Sequence, residues 1–505
     1  MKSLLLGIDI GTSIVKAAIF DRAGTEITHA ARRTNVLAPK PDWAEADPEE
    51  VWRATCDVIR RVLQARDVSA DAIAGIGLSG AMVGAWVVDE AGQPLRPGIF
   101  WSDARAQPLI DAMMARDPAV MSRIFAISGS AMQQGCTLPV LRALILDQPE
   151  ILARAKAVIG AKDFIRARLT GRIATCIVEA AVAPGSAHQR GRSPELLTLF
   201  GLDDHAHLLP EPMPCESVAG AITPAAAAAT GLCTGIPVVI GAGDVAASVI
   251  GAGGLAVGCA VTILGTTCLN GIVVPEPIFT PADLGILFTL PGDLWLRTMV
   301  NVAGTTNIEW ALATLCPDFA EAADAYERLG ALATQSPPGA QGAVYVPYLS
   351  EVGIIAPVLA AAARGGFAGL APRHRRPDML RAVYEGVAYA IRDCFETTAR
   401  EFGTVRLVGG GARSAFWRQM IADVLNRPVE VPEGQEFGAK GAALLAATGI
   451  GWFSSVAEAS VASCRIPHRH EPVGDGRYEA PYARYKAYAG ALAKVRPETG
   501  AEQKS

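Results

Sequence analysis

Residues 4–20 read LLLGIDIGTSIVKAAIF and contain the pattern on which the fold prediction depends. Two apolar runs, 4–10 and 14–20, flank a Gly-Thr-Ser turn, and this arrangement predicts two buried strands joined by a tight hairpin. Residues 261–274, VTILGTTCLNGIVV, repeat the order of apolar run, Gly-Thr-Thr turn and apolar run. The repetition predicts that the chain contains two units built in the same way.

The segments after the first hairpin alternate between predicted helices and strands. Asp47-Pro48-Glu49-Glu50 is typical of a helix start, and the predicted helix continues to residue 64. Apolar runs at 73–78 and 86–88 indicate further strands, and a strand, a glycine loop and a helix follow one another again at 405–425. Alternating buried strands and amphipathic helices predict an α/β architecture.

Length and composition set limits on the class of protein. The 505 residues exceed what one hydrophobic core usually organises, so two large domains are expected. The net charge of −5, without a dense Lys/Arg stripe, argues against a nucleic-acid partner. None of the ten cysteines forms a CxxC pair or a Cys/His cluster with zinc spacing, so the sequence predicts buried thiols in a reducing compartment.

One stretch, residues 238–264, is apolar enough to suggest a membrane span. Asp244 and six glycines interrupt it, and an unpaired carboxylate in lipid is costly. A buried strand, a turn, a short helix and a second buried strand therefore fit this stretch better than a membrane helix. No signal-peptide cleavage pattern follows the short apolar start of the chain, so the expected location is the cytoplasm.

The first hairpin carries residues suited to binding a phosphate. Gly11 lets the backbone approach the phosphate, while Thr12 and Ser13 supply N–H groups and hydroxyls. Asp9 lies two residues before the turn, on the same face of the strand, where its carboxylate can hold Mg²⁺ directly or through water. The alternative is an ordinary glycine-rich hairpin with a solvated aspartate.

Asp244, which ends the sequence GAGD at 241–244, is the candidate general base. An alcohol is a poor nucleophile, and a carboxylate that accepts its proton typically contributes about 10²–10⁴-fold. A lone aspartate beside glycines is more often a turn residue, but the apolar strand before it and the second hairpin twenty residues later favour catalysis. The glycines at 409–411 are weak evidence by themselves, and the chain contains neither a P-loop motif nor a Rossmann fingerprint in its required context.

From residue 7 to about residue 449, the chain resembles the FGGY carbohydrate kinases. The most specific match combines GGFAGL at 365–370 with Asp378, Met379 and the segment AVYE at 382–385. Further matches are AKDF at 161–164, LTG at 169–171 and GGGARS at 409–414. The family is similar in fold to actin, hexokinase and the Hsp70 ATPase domain.

The resemblance implies two ribonuclease-H-like α/β lobes around an interlobe cleft. Residues 1–245 would form a sugar-binding lobe, residues 246–475 a nucleotide-binding lobe, and residues 476–505 a C-terminal tail with a disordered end. The implied reaction is ATP-dependent phosphorylation of a hydroxyl on a small-molecule sugar or polyol, with Mg²⁺. Homodimers are common among such proteins, which leaves a homodimer open.

Carried over position by position, the resemblance implies particular site residues. Asp9 would belong to the Mg²⁺ site, and Asp244 would be the catalytic base. Two hairpins and the glycine loop would bind ATP through Gly11, Thr12, Ser13, Gly265, Thr266, Thr267, Gly410, Gly411 and Ala412. Phe416 and Asn426 would lie near the adenosine. The sugar pocket would be lined by Met82, Val83, Trp101, Asp103, Arg105 and Asp244. An alternative for Trp101 is a partly buried core aromatic.

The sugar loop departs from the family pattern. Xylulokinases usually show Gly-Gln-Met-His-Gly, whereas residues 80–84 read GAMVG, so two hydrogen-bonding side chains are replaced by apolar ones. Val140 and Ala143 stand where the first family signature usually has Lys and Trp, and residues 175–178 read TCIV where Thr-Asp-x-Ser is frequent. Loss of hydrogen-bonding groups changes which sugar is accepted. The expected substrate is a ketopentose such as xylulose, with erythritol, ribulose or a glycerol-like polyol as alternatives.

Two other classes of protein share this fold. A non-catalytic actin-like sensor would lack the base or one phosphate hairpin, and both are present in the sequence. An ATPase-driven chaperone would need a peptide-binding extension, whereas only about thirty-five residues follow position 470.

Overall fold

The computed structural model describes residues 2–65, 68–350, 354–360 and 362–495. Its strands, in chain order, are β1 Leu4–Ile10, β2 Ile14–Phe20, β3 Glu26–Arg33, β4 Glu45–Ala46, β5 Ile73–Gly80, β6 Trp86–Val88, β7 Gly98–Ile99, β8 Ala157–Ile159, β9 Thr175–Cys176, β10 Pro212–Met213, β11 Val218–Ala221, β12 Pro237–Val239, β13 Ala242–Gly243, β14 Ala260–Leu264, β15 Cys268–Val274, β16 Ile286–Leu290, β17 Leu294–Asn301, β18 Val344–Val346, β19 Gly366–Ala368, β20 Val405–Val408, β21 Val429–Val431 and β22 His468–His470.

The helices are distributed along the whole chain. In order they are α1 Pro48–Gln64, α2 Gln107–Arg116, α3 Val120–Ser128, α4 Thr137–Asp147, α5 Pro149–Leu152, α6 Ala161–Thr170, α7 Ile177–Val182, α8 Pro194–Leu199, α9 Pro224–Thr230, α10 Asp244–Gly251, α11 Thr306–Leu315, α12 Ala325–Ala333, α13 Arg376–Thr397, α14 Ala415–Leu425, α15 Phe437–Gly449, α16 Val456–Ala462 and α17 Glu479–Leu492. At the predicted first helix, the Asp47 carboxylate accepts the backbone N–H of Glu49 at 2.9 Å and caps α1.

Two seven-stranded sheets have the same construction. In the first, β1 pairs antiparallel with β2 and parallel with β5, and the order β3-β2-β1-β5-β12 follows from these pairings. In the second, β14 pairs antiparallel with β15 and parallel with β20, which gives the corresponding order β17-β15-β14-β20-β21. The predicted duplicated hairpin unit and the two-lobed α/β architecture are therefore confirmed.

The two lobes share a pair of helices, α10 and α15, that pack closely because glycines line their contacts. A Cβ on Gly7 of β1 would lie 1.8 Å from the Ala439 carbonyl oxygen, so the backbone of α15 touches the first sheet. A Cβ on Gly441 of α15 would lie 1.8 Å from the Ala247 carbonyl oxygen of α10. One hydrophobic cluster contains residues of both sheets and both helices, so the sheets are held in one arrangement around this pair.

The stretch 238–264 folds as the sequence predicts, with parts of β12 and β14 on either side of α10. Within the described residues, no helix combines the length and the hydropathy needed to cross a membrane.

The predicted tail at 476–505 is wrong for its first part. Residues 479–492 form α17, and Tyr485 is completely buried in the core of the C-terminal lobe. The helix carries charged residues on its exposed side, but Tyr482 and Tyr485 form a buried face whose rings pack on Tyr389 of α13. The last ten residues, predicted to be disordered, lie outside the described residues.

Candidate active site

The register of three parallel strands places the candidate base beside the first hairpin. Asp9 of β1 pairs with Ser79 of β5, and Ser79 pairs with Ala242 of β13. Two positions further along these strands stand residues 11, 81 and 244. The hairpin, the sugar loop and Asp244 therefore leave the sheet side by side at its carboxyl edge, with neighbouring strands about 4.8 Å apart.

Asp244 is the first residue of α10, and its Oδ1 accepts the N–H of Val245 at 2.8 Å. Burial, and then the negative charge of Asp9, raise the pKa of Asp244 to about 7. A carboxyl group with this pKa changes its protonation state close to neutral pH, which suits a general base.

Asp9 lies where both lobes meet. Ser79 Oγ donates to its Oδ1, and Gly438 of α15 faces its Oδ2, since a Cβ there would lie 3.0 Å from that oxygen. Burial raises the pKa of Asp9, while the Ser79 hydrogen bond and the charge of Lys16 oppose this rise. Lys16 also bridges to Glu436, just before α15, at 2.8 Å.

The carboxylates of Asp9 and Asp244 suit a magnesium ion. They repel each other enough to raise the pKa of Asp244, and a divalent cation would relieve this repulsion. No group of three or more His, Cys, Asp or Glu side chains suited to a metal occurs among the described residues. Mg²⁺ commonly uses one or two carboxylates together with phosphate and water oxygens, so a pair of carboxylates fits it.

The second hairpin and the glycine loop meet at the corresponding edge of the second sheet. Ile263 of β14 pairs with Val408 of β20, so residues 265 and 410 follow at the same level. A Cβ on Gly409 would lie 2.5 Å from the Leu264 carbonyl oxygen, and its φ of 94° also favours glycine. Gly304 N–H donates to the Thr266 carbonyl at 2.7 Å and holds the hairpin in place. The structure thus brings the predicted ATP residues at 265–267 and 410–412 together.

Trp101 contacts the first hairpin rather than the core. Its indole Nε1 donates to Thr12 Oγ1 at 3.1 Å, and 44% of the residue is exposed. The alternative interpretation of Trp101 as a partly buried core aromatic is therefore wrong. The contact joins a residue expected in the sugar pocket to a residue expected to bind phosphate.

Asp103 and Arg105 do not line an open pocket, and this part of the prediction is wrong. Asp103 is completely buried, and its Oδ1 accepts Arg105 Nε at 2.8 Å. Its Oδ2 accepts Arg105 Nη2 at 2.9 Å and the Ala44 N–H at 2.8 Å. Arg105 also binds Glu45 at 2.6 Å and stacks 3.9 Å from the Trp43 ring. Because these partners occupy both oxygens, the pair fixes the loop below Trp101 instead of contacting sugar.

Met82 and Val83 lie in the loop that follows β5, next to the candidate base. A Cβ on Gly243 would lie 2.0 Å from Met82 Sδ, so Met82 packs on the residue before Asp244. Val83 has a φ of 58° and donates its N–H to Glu179 Oε1 at 2.5 Å. Sequence reasoning missed Glu179. The available signal was that it is the only Asp, Glu, Lys or Arg between residues 173 and 189.

The residues expected near the adenosine are separated by a helix. Phe416 is the second residue of α14, beside the glycine loop, and packs edge-on against Tyr384 at 5.4 Å. Asn426 ends α14 with a φ of 48°, and eleven helical residues span about 16 Å. Asn426 therefore lies a helix length away from the glycine loop, where its left-handed backbone terminates the helix, and its placement near the adenosine stays a prediction.

Residues 365–385, which carry the most specific family match, make contacts within the C-terminal lobe. Asp378 Oδ2 accepts the N–H of Arg375 at 2.9 Å and caps α13, and Phe367 of β19 packs on Tyr345 with ring centroids 4.9 Å apart. Glu385 is buried and binds Arg381 at 2.7 Å. These contacts stabilise the C-terminal lobe.

Comparisons with known proteins cover almost the whole chain. Residues 4–251 match the model of the N-terminal domain of the FGGY family of carbohydrate kinases, and residues 260–450 match the model of its C-terminal domain.

Relatives of similar identity have different names. The erythritol kinase of Brucella abortus (strain 2308) is 31% identical over 467 residues, which cover 90% of this chain and 88% of that protein. The xylulose kinase of Escherichia coli (strain K12) is 32% identical over 450 residues, covering 88% and 89%. Among solved structures, the xylulose kinase of Rhodospirillum rubrum superposes with a TM-score of 0.84 at 28% identity and covers 97% of this chain and 99% of that one.

Proposed function

The chain belongs to the FGGY family of carbohydrate kinases and is an ATP-dependent sugar kinase, and on that premise we propose that Asp244 accepts the proton of the sugar hydroxyl that is phosphorylated. The observation that carries this proposal is the strand register, which brings Asp244, the first hairpin and the sugar loop to one edge of the sheet. A pKa raised to about 7 supports the same role, because the group accepts a proton near neutral pH.

We propose that ATP lies between the two hairpins, with its adenosine along Gly410, Gly411 and Ala412. Thr12 and Thr266 would contact the phosphates from opposite lobes through hydroxyls and backbone N–H groups. Asp9 would hold Mg²⁺, with Asp244 close by, and the bound ion would offset the charge of the phosphates. Closure of the lobes would exclude water from the reaction.

The proposed reaction forms one P–O bond and breaks another. The sugar hydroxyl oxygen attacks the γ-phosphorus of ATP, the bond to the β–γ bridging oxygen breaks, and ADP leaves. The hydroxyl proton passes to the Asp244 carboxylate. Alignment and charge neutralisation supply most of the catalysis in such transfers, and the positioned base adds to them.

For the substrate, we propose a ketopentose such as xylulose. The xylulose kinases of Escherichia coli and Staphylococcus epidermidis, which are 32% and 29% identical, support this choice. An erythritol kinase at 31% identity supports a tetritol as the second candidate. The apolar Ala81 and Val83 favour a substrate that does not depend on side-chain hydrogen bonds at those two positions.

A coupled assay of ADP release over a panel of pentuloses, hexuloses, tetritols and glycerol tests the proposal. Release that depends on a ketopentose is expected, and release with erythritol alone would replace xylulose by a tetritol. Hydrolysis independent of sugar would instead indicate an ATPase, and no release with any compound would indicate a sensor. The lobe boundary at residue 245, a homodimer and the cytoplasm as location stay predictions.

A further inference from the structure

Glu179 is a buried carboxylate on α7, outside the proposed catalytic group. Only 6% of the residue is exposed, and the Sγ of Cys176 accepts its backbone N–H at 3.4 Å. The side chain lies against Gly160, where a Cβ would be 3.3 Å from Oε1. Glu179 is therefore held between α7 and Gly160, next to the sugar loop, residues 80–84.

The contact that Glu179 makes with the sugar loop goes to backbone rather than to a side chain. Its Oε1 accepts the N–H of Val83 at 2.5 Å. Val83 has a φ of 58°, a left-handed conformation that a β-branched residue rarely adopts unless its surroundings hold it there. The following Gly84 also has a positive φ, of 76°, and its N–H donates to the Gly135 carbonyl at 2.9 Å. Two successive N–H groups of the loop are thus held from outside the loop.

We propose that Glu179 is a positioning residue that holds Val83 in its left-handed conformation and so sets the shape of the sugar pocket. This inference rests on the proposed function, because it takes Met82 and Val83 as the floor of the sugar site. Glu179 acts through Val83, and the effect extends to the base because Met82 packs on Gly243, the residue before Asp244.

Charged groups face Glu179 from the neighbouring elements. Lys162 and Asp163, which bind each other at 2.5 Å, face it from α6, Cys176 faces it from β9, and Arg192 adds a more distant positive charge. Its Oε2 is buried with no hydrogen-bond partner among the described residues. Burial, opposed by the charge of Lys162, raises the pKa of Glu179 to about 8. Oε1 keeps a lone pair for the Val83 N–H in either protonation state.

Substitutions separate the acceptor oxygen from the charge and from side-chain volume. Glu179→Gln keeps an acceptor, whereas Glu179→Leu fills similar space without one. We expect Glu179→Leu to raise the sugar KM about tenfold or more while the ATP KM stays within about twofold, and we expect Glu179→Gln to stay within about threefold for both. Glu179→Ala repeats the acceptor-free test in case the leucine disturbs folding.

A second substitution tests the backbone directly. Glycine adopts a positive φ without strain, so Val83→Gly should make the support of Glu179 unnecessary. In the Val83→Gly background, Glu179→Leu is therefore expected to change the sugar KM by less than about threefold. A tenfold effect that persists in this background would overturn the proposal, as would equal effects of Glu179→Leu on the ATP and sugar KM values.

Amide hydrogen exchange gives a readout that needs no sugar. The Val83 amide of the full-length protein should exchange faster in Glu179→Leu than in the parent or in Glu179→Gln, while amides of α14 stay unchanged. Unchanged exchange at Val83 would refute the positioning role even if kinetics changed. Conversely, faster exchange in a protein that phosphorylates no compound of the panel would keep the positioning role and refute the proposed function.

Discussion

The two sheets have the same strand order and the same hairpin, yet they differ at one pair of positions. In the first sheet, Asp9 lies two residues before the hairpin and pairs with Ser79 on the parallel strand. In the second sheet, the corresponding residues are Ile263 and Val408; Val408 belongs to a small hydrophobic cluster, and Ile263 packs against it. The duplicated fold thus supplies two hairpins that we propose bind phosphate, and of these two positions only the first has a carboxylate suited to a metal ion.

The first sheet also carries the candidate base, so the chemistry is concentrated on one lobe. The first sheet has an extra short strand, β13, which pairs with β5 so that Ala242 lies opposite Ser79 and Asp244 follows two residues later. We infer that the second sheet positions the nucleotide, while the first sheet carries out proton transfer. Four predictions test this division of labour, and they are given in order of expected effect.

The largest effect is expected for Asp244→Asn. The amide has nearly the shape of the carboxylate but cannot take the proton, so kcat should fall by at least about 100-fold while the fold and ATP binding persist. Single-turnover phosphorylation and a nucleotide-binding titration measure the two properties. As a matched control, Asp293, an exposed aspartate in the turn between β16 and β17, should tolerate the same change. Near-normal turnover of Asp244→Asn would refute the proposed base.

A smaller effect is expected for Asp9→Asn. Removing one of two carboxylates should raise the Mg²⁺ concentration for half-maximal activity by about tenfold or more, with kcat at saturating Mg²⁺ less affected. The equivalent position in the second sheet provides the control, because Ile263→Val should leave the Mg²⁺ dependence unchanged. If Asp9→Asn and the parent showed the same Mg²⁺ dependence, the proposal that Asp9 holds the metal would be refuted.

How far the sequence predicts these features depends on the kind of pattern involved. The hairpins were predictable because apolar runs flank short glycine turns. The position of Asp244 at the edge of the sheet was predictable because it follows a buried apolar run. The inward orientation of the Asp103 side chain was not predictable, because its spacing from Trp101 does not show which of the two side chains faces the interior. Glu179 contacts a residue 96 positions away, and no local pattern encodes such a contact. Asn426 is near the glycine loop in sequence, but α14 separates the two in space, and a local pattern does not show this distance.

The third prediction concerns pH. Asp244 serves as base only when it is deprotonated, and burial and the charge of Asp9 raise its pKa to about 7. The value of kcat/KM should therefore rise with pH and level off above about 7, and at pH 6 it should lie about tenfold below the plateau. In Asp9→Asn the repelling charge is absent, so the pKa of Asp244 should fall and the rise of kcat/KM with pH should occur at lower pH. If the pH profile of kcat/KM were the same in Asp9→Asn as in the parent, the two carboxylates would not interact.

The smallest effect is expected at Trp101, where we propose that the sugar and phosphate sites meet. Trp101→Phe keeps an aromatic ring but removes the N–H that Thr12 Oγ1 accepts at 3.1 Å. A neutral hydrogen bond contributes about 1 kcal/mol, so loss of this contact should change kcat/KM by about fivefold. Thr12→Val removes the same bond from the other side, and the double variant should be no worse than the poorer single variant if the bond is the shared cause. Additive losses would instead mean that Trp101 and Thr12 act separately on sugar and phosphate, and the coupling between the sites would then lie elsewhere on the first sheet.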